Sequence, residues 1–343
     1  MPAQSVVEIS IEVADLIASS GRHAALRHAI AAAEPLLRNP TDALRIDMRD
    51  KIFQQFAGLG IVYQSSDFES VDYHQYELSA DLPMFRGPPV PGPALARGDY
   101  FCVMGAAQTF GRLVRRPWPL LLSEALGVPA LNLGRGGVGP DFFLDPKLVE
   151  LARRARFVVL QVMSGRSVGC EDYPGGRLIT KDSKVTKVNR WEVIEELWNK
   201  DPATALSYVR RWNANYLELY RQLRDAIDRP TLLLWISARK PEGWKPERLL
   251  KRLTWGSFPQ LIGRKLLDST AEMFDHRYEC VTGATSEQPL SRITGEPCPY
   301  FGSGKALHSE FSYYPSSATH AALAEALVPW ASDTLRTSAA RVA

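Results

Sequence analysis

The sequence has 343 residues, 45% hydrophobic and 23% charged, which is a globular composition. Lys and Arg total 41 against 38 Asp and Glu, and a formal charge of +3 is too small for the broad basic face that nucleic acid or an anionic membrane requires, so any anion recognition is local. No apolar run reaches the roughly 18 residues of a spanning helix, and the acidic flanks of MPAQSVVEISIEV are unlike a signal peptide; the expected setting is the cytoplasm, with no membrane and no nucleic-acid partner.

In chain order, residues 1–60 read as a helical N-terminal segment: VVEISIEVADLIA, HAALRHAIAAAEPLL and DALRIDMRDKIFQQFAGLG, with Gly58 or Gly60 as a left-handed stop. Residues 61–98 form a linker. Its stretch LPMFRGPPVPGPALARG carries five prolines, which remove backbone donors and favour extended chain over helix or central strand. Residues 99–333 then alternate short apolar runs with helix-like segments. The runs are YFCVM, PALNL, FVVLQV, TLLLWI and RYECV, and runs that are continuous rather than alternating suit strands buried on both faces. Asp145-Pro146 and Asp201-Pro202 each place a capping carboxylate ahead of a proline at the first helical position. Residues 334–343 are set apart as a flexible tail. These signals predict an α/β fold, a doubly wound five-stranded parallel sheet of flavodoxin-like type with an N-terminal helical extension.

Ligands in such a sheet sit beyond the carboxyl ends of the strands. Function is therefore expected in the segments Gly105–Arg112, Gly134–Pro140, Met163–Cys170 and Ser237–Lys240, together with Phe311–His320 before the last helix. The first reads GAAQTFG, the second follows PALNL as GRGGVG, the third is QVMSGRS, and the last is YYPSSATH. In this order, across Tyr100 to Leu327, the four segments resemble the conserved blocks of the SGNH (GDSL-type) esterases and acyltransferases. Gly105, Thr109, Phe110 and Gly111 match GDSxTxG, Asn132, Gly134 and Gly137 match NxGxxG, and the ending resembles DxxHPSxxGHxxxA. FRGPP, GAAQTFG, QVMSGRS and YYPSSATH in combination are also similar to a bacterial family without an assigned activity. The resemblance implies an SGNH fold and a backbone N–H at Gly137 in an oxyanion hole. It also implies that the triad is gone: the nucleophilic serine becomes Ala107, the histidine before proline becomes Tyr314, and the aspartate becomes Phe311. The asparagine of the third block falls near Gly165. A methyl group cannot attack a carbonyl, and a phenol with ordinary pKa of about 10 is a poor base near neutrality.

Other motifs fit less well. GRGGVG matches the dinucleotide pattern GxGxxG, but it runs into Pro140 with the next helix expected near Asp145, and no acidic residue ends the following strand. GSGK at Gly302–Lys305 lacks the first phosphate-loop glycine, where Pro299 stands, and has Ala306 in place of Ser or Thr. The four cysteines, Cys102, Cys170, Cys280 and Cys298, show no CxxC spacing, so neither a disulfide framework nor a zinc ribbon is expected; Cys102 and Cys280 read as buried thiols. The stripe of Trp212, Tyr216 and Tyr220 reads as core rather than a sugar platform, and the residues after Ser167 as a cover over the pocket.

The polar groups left at the pocket are Gln108, Thr109, Arg135, Gln161, Ser164 and Arg166. Arg135 and Arg166 either clamp a carboxylate, sulfate or phosphate, or pair with nearby acids and solvent. The expected ligand-binding set is Gln108, Thr109, Arg135, Gly137, Ser164 and Arg166, with Ser164, Tyr314 and His320 as candidates for residual catalysis. No cofactor and no metal is expected. The expected function is recognition or processing of a small anionic or glycan-like ligand by a repurposed SGNH-like protein. The alternatives are a transferase or hydrolase with non-standard groups and a nucleotide-dependent enzyme using Gly134–Gly139.

Overall fold

The computed structural model describes residues 67, 70–168, 198–243, 258–283, 285–291, 295–297, 300–301, 307–308 and 311–340. The N-terminal helices and the cover after Ser167 expected from the sequence lie outside these residues. The chain divides into two compact units. One holds Met1–Pro89, Arg112–Arg115 and Ser286–Phe311; the other holds Val90–Gly111, Arg116–Thr285 and Ser312–Ala343.

The larger unit opens with a short helix, α1 (Gly92–Arg97), followed by β1 (Phe101–Met104), α2 (Ala107–Phe110), α3 (Trp118–Leu126) and β2 (Ala130–Asn132). A 3-10 turn (Pro140–Leu144) leads to α4 (Pro146–Arg154), β3 (Val158–Gln161), α5 (Pro202–Ile227), β4 (Thr231–Ser237), α6 (Arg264–Ala271), β5 (His276–Val281) and α7 (Ser317–Ala340). The five strands fall on the five apolar runs of the sequence. They form one sheet in the order β2-β1-β3-β4-β5, every pairing parallel, which is the flavodoxin-like order.

Side chains alternate across the sheet. Phe101, Val103, Val159, Leu232, Leu234 and Ile236 meet Trp118 and Leu122 of α3 and Leu323, Ala324 and Leu327 of α7 in one core layer. The rings of Phe101 and Phe157 stack at 4.9 Å, with Trp330 edge-on to Phe157 at 5.2 Å. Helices α4, α5 and α6 pack together as the second helical layer. Burying each large side chain contributes about 1.5–3 kcal/mol, so two covered faces explain why β1, β3 and β4 read as unbroken apolar runs; β5, expected from RYECV to be buried on both faces, is half-buried to exposed along its length because it ends the sheet, with no strand beyond it among the described residues.

The two Asp-Pro signals are helix starts, as the sequence predicts. Asp145 accepts from Lys147 N–H at 2.9 Å, and Asp201 accepts from Thr204 N–H at 3.2 Å. The proline-rich stretch departs from its expected extended form at α1. Pro93 lies in the first turn of that helix, where a backbone N–H has no helical partner to lose, so the proline begins the helix instead of breaking it. Residues 334–340, set apart in the sequence as a tail, continue α7. No described helix is long and apolar enough to cross a membrane.

The smaller unit is organised by a buried ion pair. Arg112 donates to both Asp67 carboxylate oxygens at 2.7 and 3.0 Å, and Tyr73 adds its hydroxyl to Asp67 at 3.0 Å. The Arg86 guanidinium lies 4.9 Å from the centre of the Tyr73 ring and donates to the Val114 and Arg115 carbonyls; burial brings it down to about 10.

Candidate functional site at the carboxyl edge of the sheet

At the end of β1 the chain turns through Gly105 and Ala106 into α2. A single side chain from the end of β3 holds this turn. Gln161 Oε1 accepts from Ala106 N–H at 2.9 Å, Thr109 N–H at 3.2 Å and the Thr109 hydroxyl at 2.6 Å. Such an approach needs glycine at 105: a Cβ there would lie 2.4 Å from Thr109 Oγ1 and 2.5 Å from Gln161 Oε1. Gln161 Nε2 donates in turn to Gln108 Oε1 at 3.3 Å. Gln108 is 2% exposed, and its Nε2 has no hydrogen-bond partner among the described residues.

The second loop is tied to the first. Asn132, at the end of β2, accepts from Gly134 N–H at 2.9 Å and donates to the Thr109 carbonyl at 3.2 Å. Gly134 packs so closely on α2 that a Cβ would meet Phe110 N at 2.4 Å. Arg135 donates its backbone N–H to the Gly105 carbonyl at 2.9 Å, and its half-buried side chain is already engaged. Gly137 is exposed with φ of 79°, and the space beside it is open. The glycine loop does not open directly onto an α-helix. The 3-10 turn and the Asp145 cap intervene before α4, so the junction that places a pyrophosphate on a helix N-terminus is missing here.

The third loop hangs from a row of aromatic tips. Tyr220 on α5 donates to the Gln161 carbonyl at 3.0 Å and accepts from Met163 N–H at 2.9 Å. Tyr216 donates to the Met163 carbonyl at 3.1 Å, and Trp212 Nε1 donates to the Val168 carbonyl. Burial raises both tyrosine pKa values, which keeps the phenols neutral donors. The stripe is core, as its spacing predicts; the polar ends that brace the loop are invisible to periodicity.

Ser164 is 4% exposed and donates to Gln260 Oε1 at 2.7 Å, while Gln260 Nε2 donates to the Tyr313 hydroxyl at 3.4 Å. A carboxamide oxygen does not act as a general base, so this contact does not activate the serine. Ala107 presents a methyl group, 4% exposed, at the first position of α2. Tyr314 is 7% exposed, with Tyr313 edge-on at 5.0 Å. His320 is fully buried, and its Nδ1 accepts from Trp118 N–H at 3.0 Å, capping the start of α3. Ser316 caps α7 by accepting from Thr319 N–H at 3.2 Å. The ending that resembles HPSxxGH is thus used twice for helix starts. The side chains of Arg166 and Phe311 lie outside the described residues.

The structure brings Gln108, Thr109 and Gln161 into one hydrogen-bonded group, with Arg135 tied to the same turn through its backbone N–H and Asn132 through its side-chain carboxamide. Thr109 is occupied in holding that group together. Cys102 is buried and Cys280 half-buried, and burial raises both thiols above their ordinary values. Among the described residues no cluster of three His, Cys, Asp or Glu side chains could hold a metal ion.

A family model described as a domain of unknown function (DUF6473) matches residues 61–173, the part that carries β1 to β3 and their carboxyl-end loops. No protein of curated function matches the chain. Among solved structures, one similar chain is a carbohydrate esterase family 2 enzyme with a carbohydrate-binding domain from Corynascus thermopiles (Myceliophthora fergusii). It is 13% identical, with a TM-score of 0.35 over 74% of this chain and 70% of that one. Another is the lipase Lip_vut3 from a goat rumen metagenome, 12% identical, with a TM-score of 0.35 over 70% of this chain and 96% of that one. The fold assignment rests on strand order and register.

Proposed function

We propose that this chain is an SGNH-like protein without the Ser-His-Asp triad, which binds a small glycan-like or anionic ligand at the carboxyl edge of its sheet and does not hydrolyse esters. The observation that carries this reading is the turn after β1. Gln161 fixes it by three accepted hydrogen bonds, and the position resembling the family's nucleophile is an alanine methyl group. Ser164 donates to a carboxamide, and His320 Nδ1 is committed to a helix start, which leaves both poorly placed for acyl transfer. The binding set is the Gln108 carboxamide, the Gly137 backbone beside open space, and the Arg135 and Arg166 guanidiniums. The glycan class comes from the SGNH resemblance alone.

A panel of chromogenic acyl esters and a fluorophosphonate probe tests the proposal. No turnover and no labelling are expected. Serine labelling that disappears in Ser164→Ala would establish the transferase or hydrolase alternative instead. Thermal-shift titration with sulfate, phosphate, nucleotide sugars and NAD(P) reads the ligand side. A shift lost in Arg166→Ala supports the anion clamp, and a nucleotide shift lost in Gly137→Val supports the nucleotide alternative.

A further inference from the structure

Among the described residues, β4 is the one strand that pairs with β5, so the outer side of β5 is an open edge. Thr282, just past the strand, donates its backbone N–H to the Ser237 carbonyl of β4 at 2.9 Å. Backbone groups alternate in direction along a strand, so Tyr278 and Cys280 share that orientation toward β4, while Arg277, Glu279 and Val281 turn their N–H and C=O groups outward. His276, Arg277 and Val281 are exposed and the residues between them half-buried, so solvent reaches this edge. Such an edge is a template for another strand, and HRYECV has neither proline nor glycine to interrupt one.

A second copy of the chain that meets this edge about a twofold axis pairs with it antiparallel, outward residue against outward residue. Charge then selects the register. Within the strand, a pairing centred on Arg277 or on Glu279 sets that residue against its own copy, like charge on like, and pairings centred further along leave Arg277 unmatched. Centred on Tyr278, the pairing sets Arg277 of each copy against Glu279 of the other, twice by symmetry, and each of these pairs exchanges two backbone hydrogen bonds. Both side chains lie on the α6 face and are already oriented there: Arg277 donates to Asp268 at 2.5 Å, and Glu279 accepts from Arg264 at 2.6 and 2.8 Å. On the other face, Tyr278 and Cys280 pack against the α7 core layer beside half-buried Trp330, so the tyrosine brings apolar surface to the axis. Val281, 41% exposed, lies at the end of the same edge. We infer that two copies of this chain join edge to edge through β5, in the register centred on Tyr278, to form one sheet continuous across the pair.

Sedimentation velocity of the full chain over a concentration series reads the association, and hydrogen exchange at the Arg277 and Glu279 amides reads its place. A dimer with those amides slowed is expected. Arg277→Glu and Glu279→Arg each set two like-charged pairs across the axis and should weaken the dimer roughly tenfold or more, whereas an equimolar mixture of the two variants opposes Glu to Arg at both pairs and should recover it. Side chains that served only their own fold would not be rescued by mixing. Should either variant misfold, Tyr278→Cys gives a separate answer. Facing α-carbons of a non-hydrogen-bonded pair lie about 4.5 Å apart, within disulfide reach, so mild oxidation should link two chains there, while Glu279→Cys, offset from its own copy, should link far less. A monomer at every concentration overturns the inference, as does a dimer in which the two amides exchange at the monomer rate. Slowed amides in a monomer would assign the edge to a segment of the same chain and overturn it too. So would a mixture no more associated than its components, or equal cross-linking at the two positions.

Discussion

Replacing Gln161 by methionine keeps the length and near volume of the side chain and removes its acceptor. Three donors then lose their partner: the backbone N–H groups of Ala106 and Thr109 and the Thr109 hydroxyl. The hydroxyl can rotate toward another acceptor, whereas the two backbone groups are fixed by the turn and buried. At about 1–3 kcal/mol for each stranded donor, Gln161→Met should cost about 2–6 kcal/mol, a large share of the 5–15 kcal/mol that typically separates folded from unfolded chains. Urea unfolding followed by circular dichroism measures this as a fall in midpoint at constant slope. Gln161→Glu should fall between wild type and Gln161→Met at neutral pH, because its carboxylate still accepts the three donors and Gln108 can turn its Nε2 toward it. A loss below about 1 kcal/mol in Gln161→Met would refute the reasoning, since the donors would then have found other partners.

Tyr220→Phe removes the hydroxyl that bridges the Gln161 carbonyl and Met163 N–H, and should destabilise by about 1–3 kcal/mol while speeding hydrogen exchange at Met163. His320→Ala uncaps α3 and empties a buried site, for a combined loss of about 2 kcal/mol or more in denaturant unfolding; His320→Asn, which keeps a short acceptor, should recover part of it. Cys102 is buried with its thiol pKa raised, so the unfolded chain releases this proton at lower pH than the folded one. Its contribution is complete below the unfolded value of about 8.5 and declines as pH rises beyond it. Midpoints measured from pH 8 to 10 should therefore fall less steeply in Cys102→Ala than in wild type. Equal slopes would count against the assignment.

The sheet was legible because its chemistry is local. Val158–Gln161 and Thr231–Ser237 are buried along their whole length, and a strand covered on both sides has no polar alternation to obscure its apolar run. The Asp-Pro helix starts were legible for the same reason, since cap and proline are neighbours in sequence. The candidate site was only half legible. GAAQTFG marks the turn after β1, yet nothing within that segment announces that a glutamine 52 residues away holds it. Gln161 reads as the last residue of an apolar strand, and its role depends on the β1 to β3 register that places Met104 beside Leu160. His320 is half legible too: its match to the second histidine of HPSxxGH implies a capping role at the final helix, whereas the fold gives its ring to the start of α3, 202 positions earlier. In the proline-rich stretch the number of prolines favours extended chain, whereas position decides at Pro93, because a proline in a first turn favours the helix that one in a middle turn forbids.

That 202-residue separation bears on how the chain is made. Leu323, Ala324 and Leu327 complete the layer against Phe101, Val103 and Trp118, so a nascent chain emerging from the ribosome carries an open apolar flank from β1 onward until α7 has been synthesised. Partly made chains would then be clients for holding chaperones, and premature stop codons before Ser317 should yield aggregates instead of shortened soluble products.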